Sequence, residues 1–255
     1  MEQKGLALVT GASSGIGREM ASLLAEEGYR LILVARRKDQ MESLARKLQV
    51  PCDVYPCDLS VRSQVLALAE YMKECRPDIV VNNAGFGVFG DVDGTRTANE
   101  AAMIDVNVTA LHLLTAAAVS YMKKRGSGRI LNVASSAGLM PGGPHMAGYY
   151  ATKAYVVSLT GAVAQELREA GSAVTISALC PGPVDTEFNH VAGVRFALRG
   201  IVAGKCAKAA LAGMKAGKTF IVPEGRIRAA VFVMRFLPRK LALQIISRQQ
   251  MKKNG

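Results

Sequence analysis

The sequence lacks the patterns that mark disulfide-built or metal-built proteins. Its five cysteines, Cys52, Cys57, Cys75, Cys180 and Cys206, are an odd number with no C-x-x-C pair and no histidine at zinc spacing. We therefore expect reduced thiols that act as small apolar groups, which is typical of an intracellular compartment. The three histidines, His112, His145 and His190, show neither metal nor triad spacing. The sequence predicts a site without a metal ion.

Long apolar runs are also missing from both ends of the chain. Glu2 and Lys4 precede a run of four apolar residues, which is too short for the core of a signal peptide. No run within residues 226–255 approaches the ~18–20 residues needed to span a bilayer. We expect a cytoplasmic protein.

Acidic residues are scarce in the last quarter of the chain. Residues 1–194 contain 18 Lys+Arg and 19 Asp+Glu, a net charge of −1, whereas residues 195–255 contain 14 Lys+Arg and only Glu224, a net charge of +13. This asymmetry predicts an anionic contact for the tail. Residues 226–255 can cap a substrate cleft, contact another subunit, or lie on an anionic membrane surface as a basic amphipathic element. Nucleic acid is not an expected partner, because no recognition motif or aromatic platform is present.

Apolar runs of strand length alternate with segments of helical spacing from residue 6 to residue 222. Most of these runs are apolar throughout, which is typical of parallel strands covered on both faces. The sequence therefore predicts an α/β fold with a doubly wound parallel sheet. It shows no linker or repeat, so we expect one domain over residues 1–225, followed by a basic amphipathic extension over residues 226–255.

The strongest local signal lies within residues 6–17. A short apolar run ends at Thr10, a turn with Gly11, Gly15 and Gly17 follows, and helical spacing runs from Arg18 onwards. A strand, a glycine-rich turn and a helix N-terminus together present backbone N–H groups that suit an anion. Residues 11–15 also match the G-x-S-x-G elbow of α/β-hydrolases. That elbow needs upstream strands and an oxyanion loop, and only ten residues precede Gly11.

Three motifs in order resemble the short-chain dehydrogenase/reductase family. They are T-G-x-x-x-G-x-G at residues 10–17, N-N-A-G at residues 82–85 and Y-x-x-x-K at residues 149–153, and the resemblance covers about residues 4–222. It implies a Rossmann fold and an oxidoreductase that interconverts a carbonyl and an alcohol by hydride transfer with a nicotinamide nucleotide. The alternative is a catalytically silent dinucleotide-binding regulator, which would not require the intact set Asn107, Ser136, Tyr149 and Lys153.

The end of the second strand favours NADP(H) over NAD(H). Arg36, Arg37 and Lys38 follow Ala35, and no acid precedes Asp39. A carboxylate there would repel a 2′-phosphate, whereas a guanidinium binds it with charge-assisted hydrogen bonds of ~1.5–3 kcal/mol each. The resemblance implies Arg36 as the main phosphate ligand, with Arg37 and Ser14 as helpers.

The resemblance also implies the remaining cofactor contacts. The acid that closes the third strand would bind the adenine amino group, the N-A-G segment would pass beneath the adenosine, and the P-G-P-V-D-T segment would anchor the nicotinamide carboxamide. The implied contacts are Gly11, Ser13, Ser14, Gly15, Ile16, Gly17, Asp58, Leu59, Asn83, Ala84, Gly85, Tyr149, Lys153, Pro181, Gly182, Val184 and Thr186.

Carbonyl reduction needs a proton donor at the developing alkoxide. Tyr149 has Lys153 at i+4 on the same helix face, whereas Tyr150 has it at i+3, and the family spacing selects Tyr149. We expect the lysine ammonium to lower the pKa of this tyrosine, because it favours the phenolate. Ser135 and Ser136 are both available to steady the carbonyl, and the family spacing of 13 residues before the tyrosine selects Ser136.

Asn107 matches the helix asparagine that, in this family, holds a water linking the lysine to solvent. The loops at residues 86–90, 139–146 and 187–196 form the expected rim of the substrate site and are rich in Phe, Met, Val and Gly. We therefore expect a fairly apolar ketone, aldehyde or alcohol as substrate. The expected assembly is a homodimer or homotetramer.

Overall fold

The fold is that of a computed structural model, which describes residues 4–187 and 200–251. The sequence predicts an irregular or weakly helical segment over residues 186–200, which falls almost wholly outside the described residues. His190 and most of the third rim loop lie outside them as well.

A seven-stranded parallel sheet organises the protein, with the strand order β3-β2-β1-β4-β5-β6-β9. The strands of this sheet are β1 (Gly5–Thr10), β2 (Tyr29–Ala35), β3 (Cys52–Pro56), β4 (Ile79–Asn82), β5 (Arg129–Val133), β6 (Thr175–Leu179) and β9 (Phe220–Ile221). Two short strands, β7 (Val184–Asp185) and β8 (Ile201–Val202), form a separate sheet. The strand order reverses direction between β1 and β4, which is where open α/β sheets bind their ligands. The fold is a single-domain Rossmann fold, as the sequence predicted.

Helices cover both faces of the sheet. They are α1 (Gly15–Glu26), α2 (Lys38–Ala45), α3 (Arg62–Cys75), α4 (Thr97–Ile104), a π-helix (Asp105–Ala110), α5 (Leu111–Arg125), a 3₁₀ turn (Ser136–Leu139), α6 (Ala147–Glu169), α7 (Ala203–Lys215), α8 (Gly225–Met234) and α9 (Arg239–Met251). The stretch Thr97–Arg125 is also long and apolar enough to cross a bilayer, judged by length and composition alone.

The core explains why the strands are apolar throughout. Val9 and Leu33 pack with α1, α2 and α7 on one face, whereas Leu8 and Ile32 pack with α3, α5 and α6 on the other. Adjacent residues of one strand point to opposite faces, so a strand buried on both faces has no polar alternation.

The elements differ from the predicted ones in two places. Helix α1 begins at Gly15 rather than at Arg18, so the last glycines of the turn are already its first turn. Helical periodicity predicts one long helix over about residues 98–124, and the structure interrupts it with the π-helix around Asn107. The basic tail forms two helices, α8 and α9, that pack back on the domain.

The last helix, α9, lies against the loop at residues 139–146. Ala242, Ile246 and Gln250 are its buried residues. Gln250 hydrogen-bonds the Tyr150 hydroxyl, and the Arg239 guanidinium donates to the Pro141 carbonyl at 3.4 Å. Helix α9 therefore lies beside the expected substrate rim, and the role of the tail stays a prediction.

Candidate active site

The glycine turn leaves the start of α1 available to an anion. Gly11 and Gly15 have φ values of +65° and +55°, which side chains other than glycine rarely adopt. Ser14 is the N-cap residue but makes no side-chain cap hydrogen bond, and the first turn of α1 holds no acidic residue. The positive end of the helix dipole and its N–H groups therefore face the carboxyl ends of β1 and β4 without a capping carboxylate from the helix itself.

Asn83 fixes the turn to the neighbouring strand. Its amide nitrogen donates to the Thr10 carbonyl at 2.9 Å, and its backbone N–H donates to the Thr10 hydroxyl at 2.9 Å. A Cβ atom on Gly11 would lie 2.7 Å from that amide, and one on Gly17 would clash with the Gly11 carbonyl. The N-A-G motif and the glycine motif thus build one rigid structure.

The residues after β2 gather charge near the turn. The Arg37 guanidinium donates to the Ser13 hydroxyl at 3.1 Å and pairs with the Glu187 carboxylate at 2.8 Å. The contact with Arg37, with help from Ser14 and Arg18, lowers the pKa of Glu187 against the opposing effect of burial. Arg37, the predicted helper, is the arginine that contacts the turn, whereas Arg36, the predicted main phosphate ligand, lies elsewhere. The role of Arg36 stays a prediction.

Arg36 lies toward Asp58 at the end of β3. The pKa of Asp58 is lowered overall: burial opposes the shift, and hydrogen bonds from the Ser60 N–H and hydroxyl, together with the Arg36 charge, cause it. The Ser60 N–H donates to Asp58 at 3.0 Å and its hydroxyl at 2.7 Å. Asp58 therefore remains charged beside Arg36, with part of its hydrogen-bonding capacity used locally.

The segment at residues 181–186 lies across the turn. A Cβ on Gly15 would lie 3.1 Å from the Thr186 methyl, so the two backbones approach closely. Val184 is buried in β7. The Pro181 carbonyl accepts from the Ser136 N–H at 2.8 Å, which joins this segment to the turn after β5.

Tyr149 and Lys153 meet on the first turns of α6. The Lys153 ammonium lies 5.9 Å from the centre of the Tyr149 ring and donates to the Val133 carbonyl at 2.9 Å. A Cβ on Gly85 would lie 3.2 Å from the Lys153 nitrogen. The third motif thus comes up against the second, and a side chain at position 85 would crowd both Lys153 and Asn107.

Asn107 lies in the π-helix, 0% exposed. Its amide nitrogen donates to the Phe86 carbonyl at 2.8 Å and to the Thr152 hydroxyl at 3.1 Å, and its oxygen accepts from the Phe86 N–H at 3.1 Å. The widened helix turn, a local feature that recurs at functional sites, brings this amide against the backbone that follows Gly85. Its predicted water-holding role remains a prediction.

The structure places Ser135, rather than the predicted Ser136, at Tyr149. The Ser135 side chain hydrogen-bonds Tyr149, and its oxygen also accepts from the Ala137 N–H at 3.2 Å. Ser135 is the extended residue that caps the 3₁₀ turn, whereas Ser136 is already inside that turn. Counting back from the tyrosine does not show which side chain faces it, because the length of the intervening loop varies between proteins.

Burial dominates the protonation of this pair. It raises the pKa of Tyr149 to about 12, against the lowering effect of the Ser135 hydrogen bond. It lowers the pKa of Lys153 to about 8, although the neighbouring Cys180 acts in the opposite direction. The expectation that Lys153 lowers the tyrosine pKa does not hold for these residues alone, since the ammonium is bound to Val133 and is itself desolvated.

A polar chain that the sequence did not reveal ties the rim loops together. The His145 imidazole contacts the Asp91 carboxylate at 2.6 Å and the Ser247 hydroxyl at 3.4 Å. His145 has a φ of +63°, and its carbonyl accepts from the Gly90 N–H at 2.8 Å. The loops at 86–95 and 139–146 and helix α9 are therefore linked, by contacts between residues far apart in sequence.

These residues fit a nicotinamide dinucleotide. The glycine cradle would be filled by any Cβ, the uncapped helix start suits a pyrophosphate, and arginines rather than acids follow β2. At the other end, a tyrosine hydrogen-bonded by a serine, with a buried lysine beside its ring, is an arrangement capable of donating a proton. Fold and site together define a dinucleotide-binding oxidoreductase.

Comparison with known proteins gives the family. A family model described as short chain dehydrogenase matches residues 5–193, and the chain belongs to this family of oxidoreductases. It is 36% identical over 190 residues to an uncharacterized oxidoreductase of Staphylococcus epidermidis, covering 72% of this chain and 80% of that protein.

Two solved structures are similar over most of the chain. One is a short-chain dehydrogenase from Sphingobium yanoikuyae in complex with NADPH, with a TM-score of 0.83 and 30% identity over 90% of this chain and 92% of that one. The other is a short-chain dehydrogenase/reductase from Burkholderia phymatum in complex with NAD, with a TM-score of 0.78 and 26% identity over 90% of this chain and 92% of that one.

Proposed function

We propose that this protein interconverts a carbonyl and an alcohol on a fairly apolar small molecule, using NADP(H). The observation that carries the proposal is the cluster of Tyr149, Lys153 and Ser135 at the carboxyl ends of β4 and β5, beside the glycine cradle. A bound nicotinamide nucleotide supplies or accepts the hydride. Every other task falls to the chain's own residues.

Tyr149 is the proton donor in this proposal. With its pKa near 12, the hydroxyl stays protonated at neutral pH, and its proton can be passed to a carbonyl oxygen as that oxygen gains charge, which leaves a phenolate. Ser135 orients the Tyr149 hydroxyl and also hydrogen-bonds the carbonyl oxygen of the substrate. Lys153, charged below its pKa of about 8, stabilises the phenolate that remains. Asn107 holds the backbone at Phe86 behind the lysine.

The preference for NADP(H) is supported by charge. Arg37 is held at Ser13 on the glycine turn, Arg36 lies at Asp58, and after β2 no carboxylate precedes Asp39. Solved relatives hold NADPH in one case and NAD in another, so the family alone does not choose. One or two charge-assisted bonds to a 2′-phosphate would favour NADP(H) by roughly 10- to 1000-fold.

The apolar substrate is supported by the described part of the rim. Phe89 stacks on His145 with ring centres 6.4 Å apart, and Gly143 lies directly against the Tyr150 ring. In this region the polar groups of His145 and Asp91 bind each other.

The decisive experiment measures oxidation of NADPH and NADH across a panel of ketones and aldehydes that ranges from apolar to highly charged. We expect turnover of apolar carbonyls with NADPH, and its loss in Tyr149→Phe with NADPH binding nearly intact. Turnover of highly charged carbonyls alone would contradict the substrate class. Retained turnover in Tyr149→Phe would contradict the assigned proton donor, and Tyr150→Phe is the matched control.

We also propose a homodimer or homotetramer in the cytoplasm. Less than half of the most apolar part of the Thr97–Arg125 stretch is buried, and Ile104 on it is 46% exposed, so a further copy can cover this helix face. The five free cysteines suit a reducing compartment. Sedimentation velocity would test the assembly, and imaging of the tagged full chain in cells would test the location.

A further inference from the structure

Helix α8 and the turn that follows it carry an apolar surface that faces outward. Phe232, Val233 and Phe236 are 61%, 55% and 74% exposed. The two phenylalanine rings contact each other edge to face, with centres 5.1 Å apart. We call these three residues the aromatic patch. Exposed large apolar side chains that adjoin one another are typical of interaction surfaces.

Exposed cations flank the aromatic patch along the chain. Arg228, Arg235, Arg239 and Lys240 are exposed in the same segment, and Gly225–Met251 contains six Arg and Lys residues but no Asp or Glu. Arg228 and Arg235 lie four positions before and three positions after Phe232, so all three share one side of the chain's helical path. The patch thus combines rings that can enter an apolar phase with charges that bind anions at its border.

The opposite side of α8 packs against the domain. Val231 is buried, and the Ile227 side chain lies 2.8 Å from the position that a Cβ on Gly182 would take. Helix α8 therefore rests on the Pro181–Gly182 segment and on the 3₁₀ turn at residues 136–139, with the aromatic patch pointing away from the domain. This packing fixes the orientation of α8, so the aromatic patch stays exposed to solvent.

We propose that the aromatic patch and its arginines dock the protein on the surface of an anionic lipid bilayer. The phenylalanine rings would enter the boundary between headgroups and acyl chains, and the arginines would bind lipid phosphates and carboxylates. A second copy of the chain is the weaker occupant, because two such patches face to face would bring like charges together. This docking does not depend on the proposed reaction, although it places the edge of the active site near a source of apolar substrates.

Sedimentation with vesicles tests the proposal. The full chain is incubated with vesicles of phosphatidylcholine alone or mixed with phosphatidylserine. We expect binding to the mixed vesicles, weak binding to phosphatidylcholine, and release as salt screens the arginines. Phe232→Ser with Phe236→Ser should weaken binding at least about tenfold through lost apolar contact. Arg228→Gln with Arg235→Gln should reduce binding to the mixed vesicles only.

Matched controls come from exposed residues elsewhere. Val61→Ser with Leu66→Ser removes apolar surface at the start of α3, and Arg46→Gln with Arg62→Gln removes two exposed charges away from the patch. Both control pairs should bind vesicles as the unchanged protein does. Failure of the unchanged protein to sediment with mixed vesicles, or equal binding by the phenylalanine pair, would overturn the proposal. A change of oligomeric state in that pair, without vesicle binding, would assign the patch to a second copy instead.

Discussion

At the scale of single residues, the choice between two adjacent serines carries the most chemistry. Ser135 reaches the Tyr149 hydroxyl because it is the extended residue that precedes the 3₁₀ turn. We predict that Ser135→Ala lowers kcat for carbonyl reduction by about 10²–10³, the usual effect of removing one donor from a developing oxyanion. Ser136→Ala should lower it far less. Steady-state kinetics of both variants checks this, and the reverse order would restore Ser136 as the carbonyl ligand.

The buried charge of Lys153 lowers the stability of the folded protein. Its pKa falls from 10.5 to about 8 on folding, so the buried ammonium opposes folding at neutral pH. Between these two pKa values the unfolded chain binds more protons than the folded chain, so the contribution of Lys153 to the free energy of unfolding rises with pH. Below about pH 8 the lysine is charged in both states, and the full cost of burying the charge is present.

We predict that Lys153→Met abolishes turnover but raises the free energy of unfolding at pH 7 by about 1–3 kcal/mol, since the lost bond to Val133 offsets part of the gain. The stability difference from the unchanged protein should shrink above pH 8. Urea unfolding of both proteins across pH measures it. A variant that is less stable at every pH would show that the ammonium does not carry this penalty.

At the scale of elements, helix α9 matters because its Gln250 contacts Tyr150 on α6, which lies 100 residues earlier in the chain. Gln250 is 2% exposed and donates to Tyr150, the neighbour of the proposed proton donor. We predict that Gln250→Ala raises KM for the carbonyl severalfold, because the Tyr150 hydroxyl loses a buried partner worth ~1–3 kcal/mol. The dissociation constant of NADPH should not change. Gln249→Ala, at an exposed position of the same helix, is the control and should match the unchanged protein.

The π-helix is a second feature at this scale. Periodicity predicts a continuous helix through residues 98–124, since apolar spacing around residue 107 is consistent with either helix type. One widened turn is enough to bring the Asn107 amide onto the Phe86 backbone. Nothing in the sequence distinguishes this turn from an ordinary one, because the hydrogen bonds that compensate for it come from another segment.

At the scale of the whole molecule, cofactor binding should appear as stability. A ligand that binds only the folded chain adds ~2.7 kcal/mol at about 100 times its Kd. We predict that NADPH raises the Tm more than NADH does at equal concentration. Arg36→Ala with Arg37→Ala should remove this difference, whereas Arg46→Ala with Arg62→Ala should not. Thermal shift measurements decide it, and an equal response of the unchanged protein to both nucleotides would contradict the preference for NADP(H).

Much of the fold followed from local pattern. The order of strands and helices, the parallel sheet and the three motifs were all predicted, because uniformly apolar strands and glycine-rich turns leave few alternatives. The ends of the elements were less predictable. Helix α1 starts within its own glycine turn, since glycine can begin a helix when a neighbouring strand, here through Asn83, fixes the backbone.

The sequence by itself therefore determined the family, the glycine cradle, the pairing of Tyr149 with Lys153 and the basic excess of the tail, since each depends on residues close together in the chain. Only the tertiary structure decided which serine meets Tyr149, which arginine reaches the turn, and which side of α8 remains exposed. Those outcomes depend on the direction of side chains brought together from distant segments. Desolvation likewise arises only when the whole domain packs around Tyr149 and Lys153, so the pKa values of these two groups depend on the folded structure.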